Sequence, residues 1–296
     1  MDGKYADLIQ ITTKLLEQGE SQKVIEKIAA VADHELPFEL QRNYVQALMD
    51  KQQYVQAHEE ARNYEQEYLQ RAPTLWIDIL LHNHLFIPAR LTLNNLATQE
   101  VMKNNMIAQI AEAEQGAEQK QAATLQKKLK NFIHTGDLPE WSQYSAITDA
   151  DTLPLREYAS GAQFVLRDSF VKPIFRVAIL RTLVDLHYAE LVKFIWIDQE
   201  EHLIVPAEAD LAQEKAVEQS LMQIIQERYK NDNPIEYQNA IQQIKLHMAL
   251  LFPYAGQVIK NPTAWVEVMV GTVPDQLDAD QQYAKEWQQK IQQSIG

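Results

Sequence analysis

Along the first hundred residues the apolar positions recur at helical spacing, in pairs of short segments separated by polar turns. The clearest pair lies in Leu36–Leu69. Phe38, Leu40, Tyr44, Val45, Leu48 and Met49 mark one helix, Asp50-Lys51-Gln52-Gln53 a turn, and Tyr54, Ala57, Ala61, Tyr64 and Leu69 a second helix. Neither stripe can be buried by its own helix, so the two must nest. Residues 4 to 33 predict another pair, broken at Gly19 with Glu20 or Ser21 as the next N-cap, and residues 74 to 97 a third. Residues 98 to 133 then form a long polar helix with a thin stripe of Val101, Ile107, Ile110, Leu125, Leu129 and Phe132, and Gly116 as its expected break.

The pattern changes after His134-Thr-Gly-Asp-Leu-Pro139, where a Gly stop and a Pro restart place a domain boundary, giving domains 1–135 and 136–296. Residues 153 to 167 and 172 to 189 predict strongly apolar helices, the second at the centre of another core. Between Leu191 and Pro206, Val192, Phe194 and Trp196 alternate with Lys193, Ile195 and Ile197. An Asp198–Glu201 turn and a His202–Val205 run follow, which predicts a β-hairpin. Helices are expected again over 208–230, 235–252, 262–270 and 275–295, the last anchored by Tyr283, Trp287 and Ile291. The fold class is therefore all-α with one small β-hairpin.

The pairs share a signature. Tyr54-Val-Gln-Ala57 is followed 32 residues later by Phe86-Ile-Pro-Ala89, and Leu16, Leu48 and Leu80 are spaced by 32 and 32. An aromatic three residues before a small side chain resembles the second helix of a tetratricopeptide (TPR) unit, whose period is about 34 residues. The first pair lacks the aromatic and the Ala, the second lacks a Gly in its first helix, and Pro88 fits as the first residue of a helix. The resemblance covers roughly residues 1 to 97. It implies a superhelix of helical hairpins with a groove lined by first helices, where Glu39, Arg42, Asn43, Gln46, Arg71, Asp78 and His82 would stand. Arg42 followed by Asn43 resembles the basic and amide pair with which some TPR domains hold a peptide carboxylate, although the first pair offers Gln10 and Thr13 instead.

The function this resemblance implies is a non-catalytic, cytoplasmic scaffold, with no cofactor and no bound metal. Its groove would hold a protein or peptide, basic or carrying a free carboxylate. A ligand-sensing regulator is the alternative, and a helical enzyme with an interdomain site stands behind it.

Composition narrows the classes further. The chain of 296 residues has 8 Gly, 11 Pro and no Cys, which excludes disulfides and thiolate chemistry. Net charge is −14, −7 in each half, and such a surface repels nucleic acid. No apolar run is long enough for a membrane span, and the N-terminus lacks the pattern of an export signal. Glycines never cluster into a phosphate loop. His82 and His84 diverge at i, i+2 on a helix, and His187 with Glu190 has the i, i+3 spacing of a metal-bridging helix but lacks a matching second copy. His247 reads as a partly buried structural residue.

Overall fold

The computed structural model describes residues 5–31, 36–96, 100–229 and 233–295. Expectations that touch residue 4, 32, 33, 97–99 or 230–232 lie outside the described residues at those positions. Among the described residues the chain is all-α with one two-stranded antiparallel hairpin. It divides into two compact units, Met1–Leu125 with Asp151–Leu155, and Gln126–Ala150 with Arg156–Gly296.

The first unit holds α1 (Ala6–Glu17), α2 (Ser21–Ala29), α3 (Phe38–Asp50), α4 (Tyr54–Arg62), α5 (Glu65–Arg71), α6 (Pro73–His82), α7 (Phe86–Asn95) and the first part of α8 (Glu100–Ile133). α1 packs on α2 and α3, α2 on α3, α3 on α4, α4 on α6, and α6 on α7. Each pair thus rests on the one before it. The three pair turns are alike. Gly19, Gln52 and His84 adopt left-handed φ of 74°, 58° and 57°. The next N–H in each case reaches back to Leu15, Leu48 or Leu80 at 2.9 Å, a Schellman stop that satisfies carbonyls at the helix end. This register equates Leu15, not Leu16, with Leu48 and Leu80. Counted from the same residue, Val24 takes the position of Ala57 and Ala89, and all three side chains are fully buried. The small side chains of Ala57 and Ala89 are suited to close helix packing at this position, which Val24 fills in the first pair.

Several local expectations are corrected. The predicted single helix over Tyr54–Leu69 breaks at Asn63-Tyr64 into α4 and α5, because the Tyr64 hydroxyl turns away to donate to the Leu36 carbonyl (3.0 Å) and accept from its N–H (2.9 Å). Freed by that break, α5 stacks Tyr68 between Phe38 and Trp76, with ring centroids 5.0 and 6.0 Å apart. Glu20, one of the two expected residues, is the N-cap of α2, although its side chain makes no cap bond. Ser21 instead donates to Asp50 (2.7 Å), tying α2 to the end of α3. Pro88 falls within the first turn of α7 and not at its first residue, still where N–H groups have no helical acceptor. α8 runs through Gly116 and kinks at Gln121 (φ −128°). Its buried stripe is Met106, Ile110, Ala117, Leu125 and Phe132, leaving Val101 and Ile107 exposed.

The second unit adds α9 (Glu140–Ala150), α10 (Leu155–Val165), α11 (Pro173–Asp185), β1 (Val192–Ile195), β2 (Glu201–Ile204), α12 (Ala212–Tyr229), α13 (Pro234–Leu251), α14 (Ala255–Val258), α15 (Pro262–Met269) and α16 (Ala279–Ile295). α9 has no counterpart in the hydrophobic pattern, since it buries Gln143, Ala146 and Ala150 and so shows no large apolar stripe. The hairpin pairs Val192 with Ile204 and Ile195 with Glu201. Val192, Phe194 and Trp196 all turn inward, and the Trp196 indole N–H donates to the Phe252 carbonyl (3.0 Å). α11 is less uniformly apolar than its pattern predicts. Arg176 is buried with the aliphatic residues, and its Nη1 donates to the carbonyls of Asp168 (2.9 Å) and Val171 (2.7 Å). α8 and α10 cross so closely that a Cβ at Gly161 would lie 2.5 Å from the Phe132 ring. Of the expected anchors of α16, Ile291 is buried while Tyr283 and Trp287 are half-buried.

His247, on α13, is buried and its Nδ1 accepts from the Trp265 indole N–H (3.2 Å). Burial pushes its imidazole down to about 4 from 6.5, so it is neutral in the fold at neutral pH. Between those values the unfolded chain holds a proton that the folded chain refuses. The stability carried by this neutral imidazole is therefore complete above about pH 6.5 and disappears on acidification towards pH 4. Asp151 works in the opposite sense. Burial raises its carboxyl to about 6, so its contribution is complete below the ordinary carboxylate range and is lost as pH rises through about 6. His247→Gln keeps an acceptor for Trp265, does not titrate and leaves Asp151 untouched. Urea unfolding at pH 7 and pH 4 is expected to show a smaller loss of stability on acidification for the variant, by up to about 3 kcal/mol. Identical losses would mean that His247 is not held neutral.

Candidate functional site

The common turns put the three first helices α1, α3 and α6 in one register. Ten, six and two residues before the left-handed residue stand Ile9, Thr13 and Glu17 on α1, Arg42, Gln46 and Asp50 on α3, and Thr74, Asp78 and His82 on α6. Positions four apart lie one turn apart on the same helix face. Arg42, Asp50, Thr74, Asp78 and His82 are exposed and Gln46 is half-buried, so α3 and α6 present equivalent outward rows. The two rows are tied where they begin. Arg71, the last residue of α5, pairs with Glu39 in the first turn of α3, and its guanidinium lies 4.6 Å from the centre of the Phe38 ring. The Glu39 carboxylate is held below the usual range first by a backbone hydrogen bond at the helix start and then by Arg71.

Of the seven residues expected in a groove, Arg42, Gln46, Asp78 and His82 occupy these rows, and Arg71, paired with Glu39, ties the two rows at their start. Asn43 does not face outward. It is 3% exposed, and its Nδ2 donates to the Thr12 (3.0 Å) and Thr13 (2.9 Å) hydroxyls. Its amide docks α3 on α1, so Arg42 and Asn43 do not face a shared ligand. Gln46 donates to Asp50 (3.0 Å). His82 contacts the Asp78 carboxylate through Nδ1 (3.2 Å), and its ring packs 4.4 Å from Tyr54. His84 turns elsewhere, to Gln121 (3.2 Å) and Phe86 (5.9 Å between ring centres), so the two histidines serve different neighbours.

A pocket of about 390 Å³ opens at the start of the α6 row, lined by Thr74 and by Val101, Met102, Asn105, Met106 and Gln109 of α8. Val101 is 72% and Met102 42% exposed, so the pocket offers apolar surface to solvent beside a polar row. The hydrophobic pattern did not reveal it. Val101 belongs to the thin apolar stripe of α8, and the thinness of that stripe is the available signal. Methionine side chains adapt to irregular apolar ligands.

Polar clusters elsewhere are structural in their geometry. Glu114, buried on α8, takes two hydrogen bonds from Arg90 of α7 (2.7 and 2.6 Å) and one from the Leu155 N–H (3.2 Å), which holds the Asp151–Leu155 segment in the first unit. His202 on β2 contacts both oxygens of Asp198 (3.1 and 2.9 Å) and is enclosed by the Phe194, Trp196 and Tyr254 rings. His187 lies beyond the end of α11 in a left-handed conformation (φ 54°), so the helical i, i+3 relation to Glu190 does not arise. Glu190 instead accepts from the Tyr188 hydroxyl (3.0 Å). Among the described residues no group of three or more His, Asp or Glu could hold a metal ion, and no helix is long and apolar enough to cross a membrane. Searches against family models, curated proteins and solved structures returned no match.

The buried amide is a direct target. Asn43→Ala would remove both hydrogen bonds that the amide gives to the Thr12 and Thr13 hydroxyls, and a loss of about 1 to 3 kcal/mol in unfolding free energy is expected. Amide exchange should quicken in α1 before α6. Unchanged protection of α1 would mean that the amide does not dock it.

Proposed function

We propose that the first three helix pairs form a TPR-like stack whose first helices present a groove, and that this groove holds a peptide segment of a partner protein. The protein would act as a non-catalytic scaffold in the cytoplasm. The observation that carries this reading is the pocket beside Thr74. It sets exposed apolar surface from Val101 and Met102 next to the polar rows of α3 and α6. Peptide recognition draws on that combination, with an apolar anchor side chain giving affinity and polar neighbours giving orientation. Support also comes from the repeated turns at Gly19, Gln52 and His84 and from the packing of each pair on its predecessor. The peptide's anchor side chain would enter the pocket, with Arg42, Gln46, Asp78 and His82 contacting its polar groups. A pocket of about 390 Å³ also lies in the range used by small ligands, so a ligand-sensing regulator is the second reading.

Selection of peptides from a displayed library on the immobilised chain tests this. Selected peptides should lose at least about tenfold in affinity for Met102→Glu and for Arg42→Glu. Glu59→Lys, an exposed change on α4, should have little effect. Failure to select any peptide, or peptides indifferent to both groove variants, would count against the groove.

A further inference from the structure

Every Phe, Tyr or Trp side chain that stands exposed among the described residues lies between 141 and 170. They are Trp141 (81%), Tyr144 (66%), Phe164 (58%) and Phe170 (80%). Three of them are gathered by one clamp in the second unit. Gln143, buried on the inner side of α9, donates to the carbonyls of Leu138 (3.3 Å) and Phe170 (3.1 Å) and accepts from the Lys172 N–H (3.3 Å). This fixes α9 against the chain leading into α11. Glu140 meets Lys172 (3.3 Å) across the same junction, and the Tyr144 ring lies 6.5 Å from that of Phe175. Exposed Trp141 and Tyr144, three residues apart on α9, are therefore held on a helix fixed to the segment that carries exposed Phe170 and Ile174. Exposed apolar side chains gathered on joined segments mark an interaction site.

Charge selects the occupant. The chain carries −14, yet residues 126 to 150 and 156 to 175 together hold six basic and five acidic side chains, a net charge of +1. Surface charges act over only about 8 Å at physiological ionic strength, so an approaching molecule meets this local balance and not the net charge. Around the patch the two signs are matched, Glu140 by Lys172 and Arg167 by Glu201 (2.9 Å). An anionic surface would be met by an excess of Lys and Arg, and a basic partner by an excess of carboxylates. An apolar centre with both signs at its edge is self-complementary, which is what a two-fold interface requires. It is also a face on which two strongly acidic chains can meet without opposing like charges. We propose that this face is where two copies of the chain associate, with Trp141 and Phe170 as central anchors and Glu140 of each copy near Lys172 of the other.

Sedimentation equilibrium of the full chain across a range of concentrations provides the test. The mass should rise from 34.1 kDa towards twice that value. Trp141→Ser and Phe170→Ser should each weaken the dimer at least about tenfold with unchanged helical content, since both side chains are exposed. Glu140→Lys should weaken it, and the added change Lys172→Glu should restore it. A chain that stays monomeric throughout would overturn the proposal, as would a dimer indifferent to both serine substitutions. So would a monomer whose Trp141 fluorescence shifts only when uncharged lipid vesicles are added.

Discussion

The first unit depends on burying the seam in which Val24, Ala57 and Ala89 recur, five residues after each left-handed turn and fully enclosed. Two short amphipathic helices cannot hide their apolar stripes by pairing alone, because each pair has a second side that must be covered as well. Stacking covers it. The turns at Gly19, Gln52 and His84 hold the pairs in one register, and that register leaves the outer faces of α3 and α6 aligned and in contact with solvent. The proposed groove is thus what remains once the seam has been buried.

Polar side chains between the pairs serve register, and they are thereby withdrawn from recognition. Asn43 docks α3 on α1, and Ser21 ties α2 to Asp50. Gln41 donates to the Glu60 carbonyl (2.8 Å), and Asn83 to that of Tyr54 (2.9 Å). A buried amide left without a partner is costly, so each of these bonds penalises a slipped arrangement more than it adds net stability. Arg42, Gln46, Asp78 and His82 lie on the other side of this division, with side chains reaching solvent.

The elements with a clear period were legible in the chain: the helix pairs, the apolar helix before the hairpin, and the hairpin itself, whose Val192, Phe194 and Trp196 alternation corresponds to its buried face. What escaped was set by tertiary contacts that periodicity does not carry. Tyr64 breaks a continuous helical stripe because its hydroxyl finds Leu36, and α9 is a helix held mainly by the Gln143 clamp. The candidate site was legible only as a set of positions. Helical spacing placed Arg42 and Asn43 side by side but could not say that the amide turns inward to Thr12 and Thr13. Nor could it say that Val101 and Met102 stay outside the core beside Thr74.

The central claim, that the outward rows of α3 and α6 receive a polypeptide, is tested most directly by site-specific photo-cross-linking in the cells that make the protein. A photoreactive side chain would replace Gln46 or Asp78 in the rows, or Glu59 on α4 as a control. The account predicts one discrete polypeptide adduct from positions 46 and 78 and none from 59. Equal labelling at all three, or an adduct from position 59 alone, would contradict it.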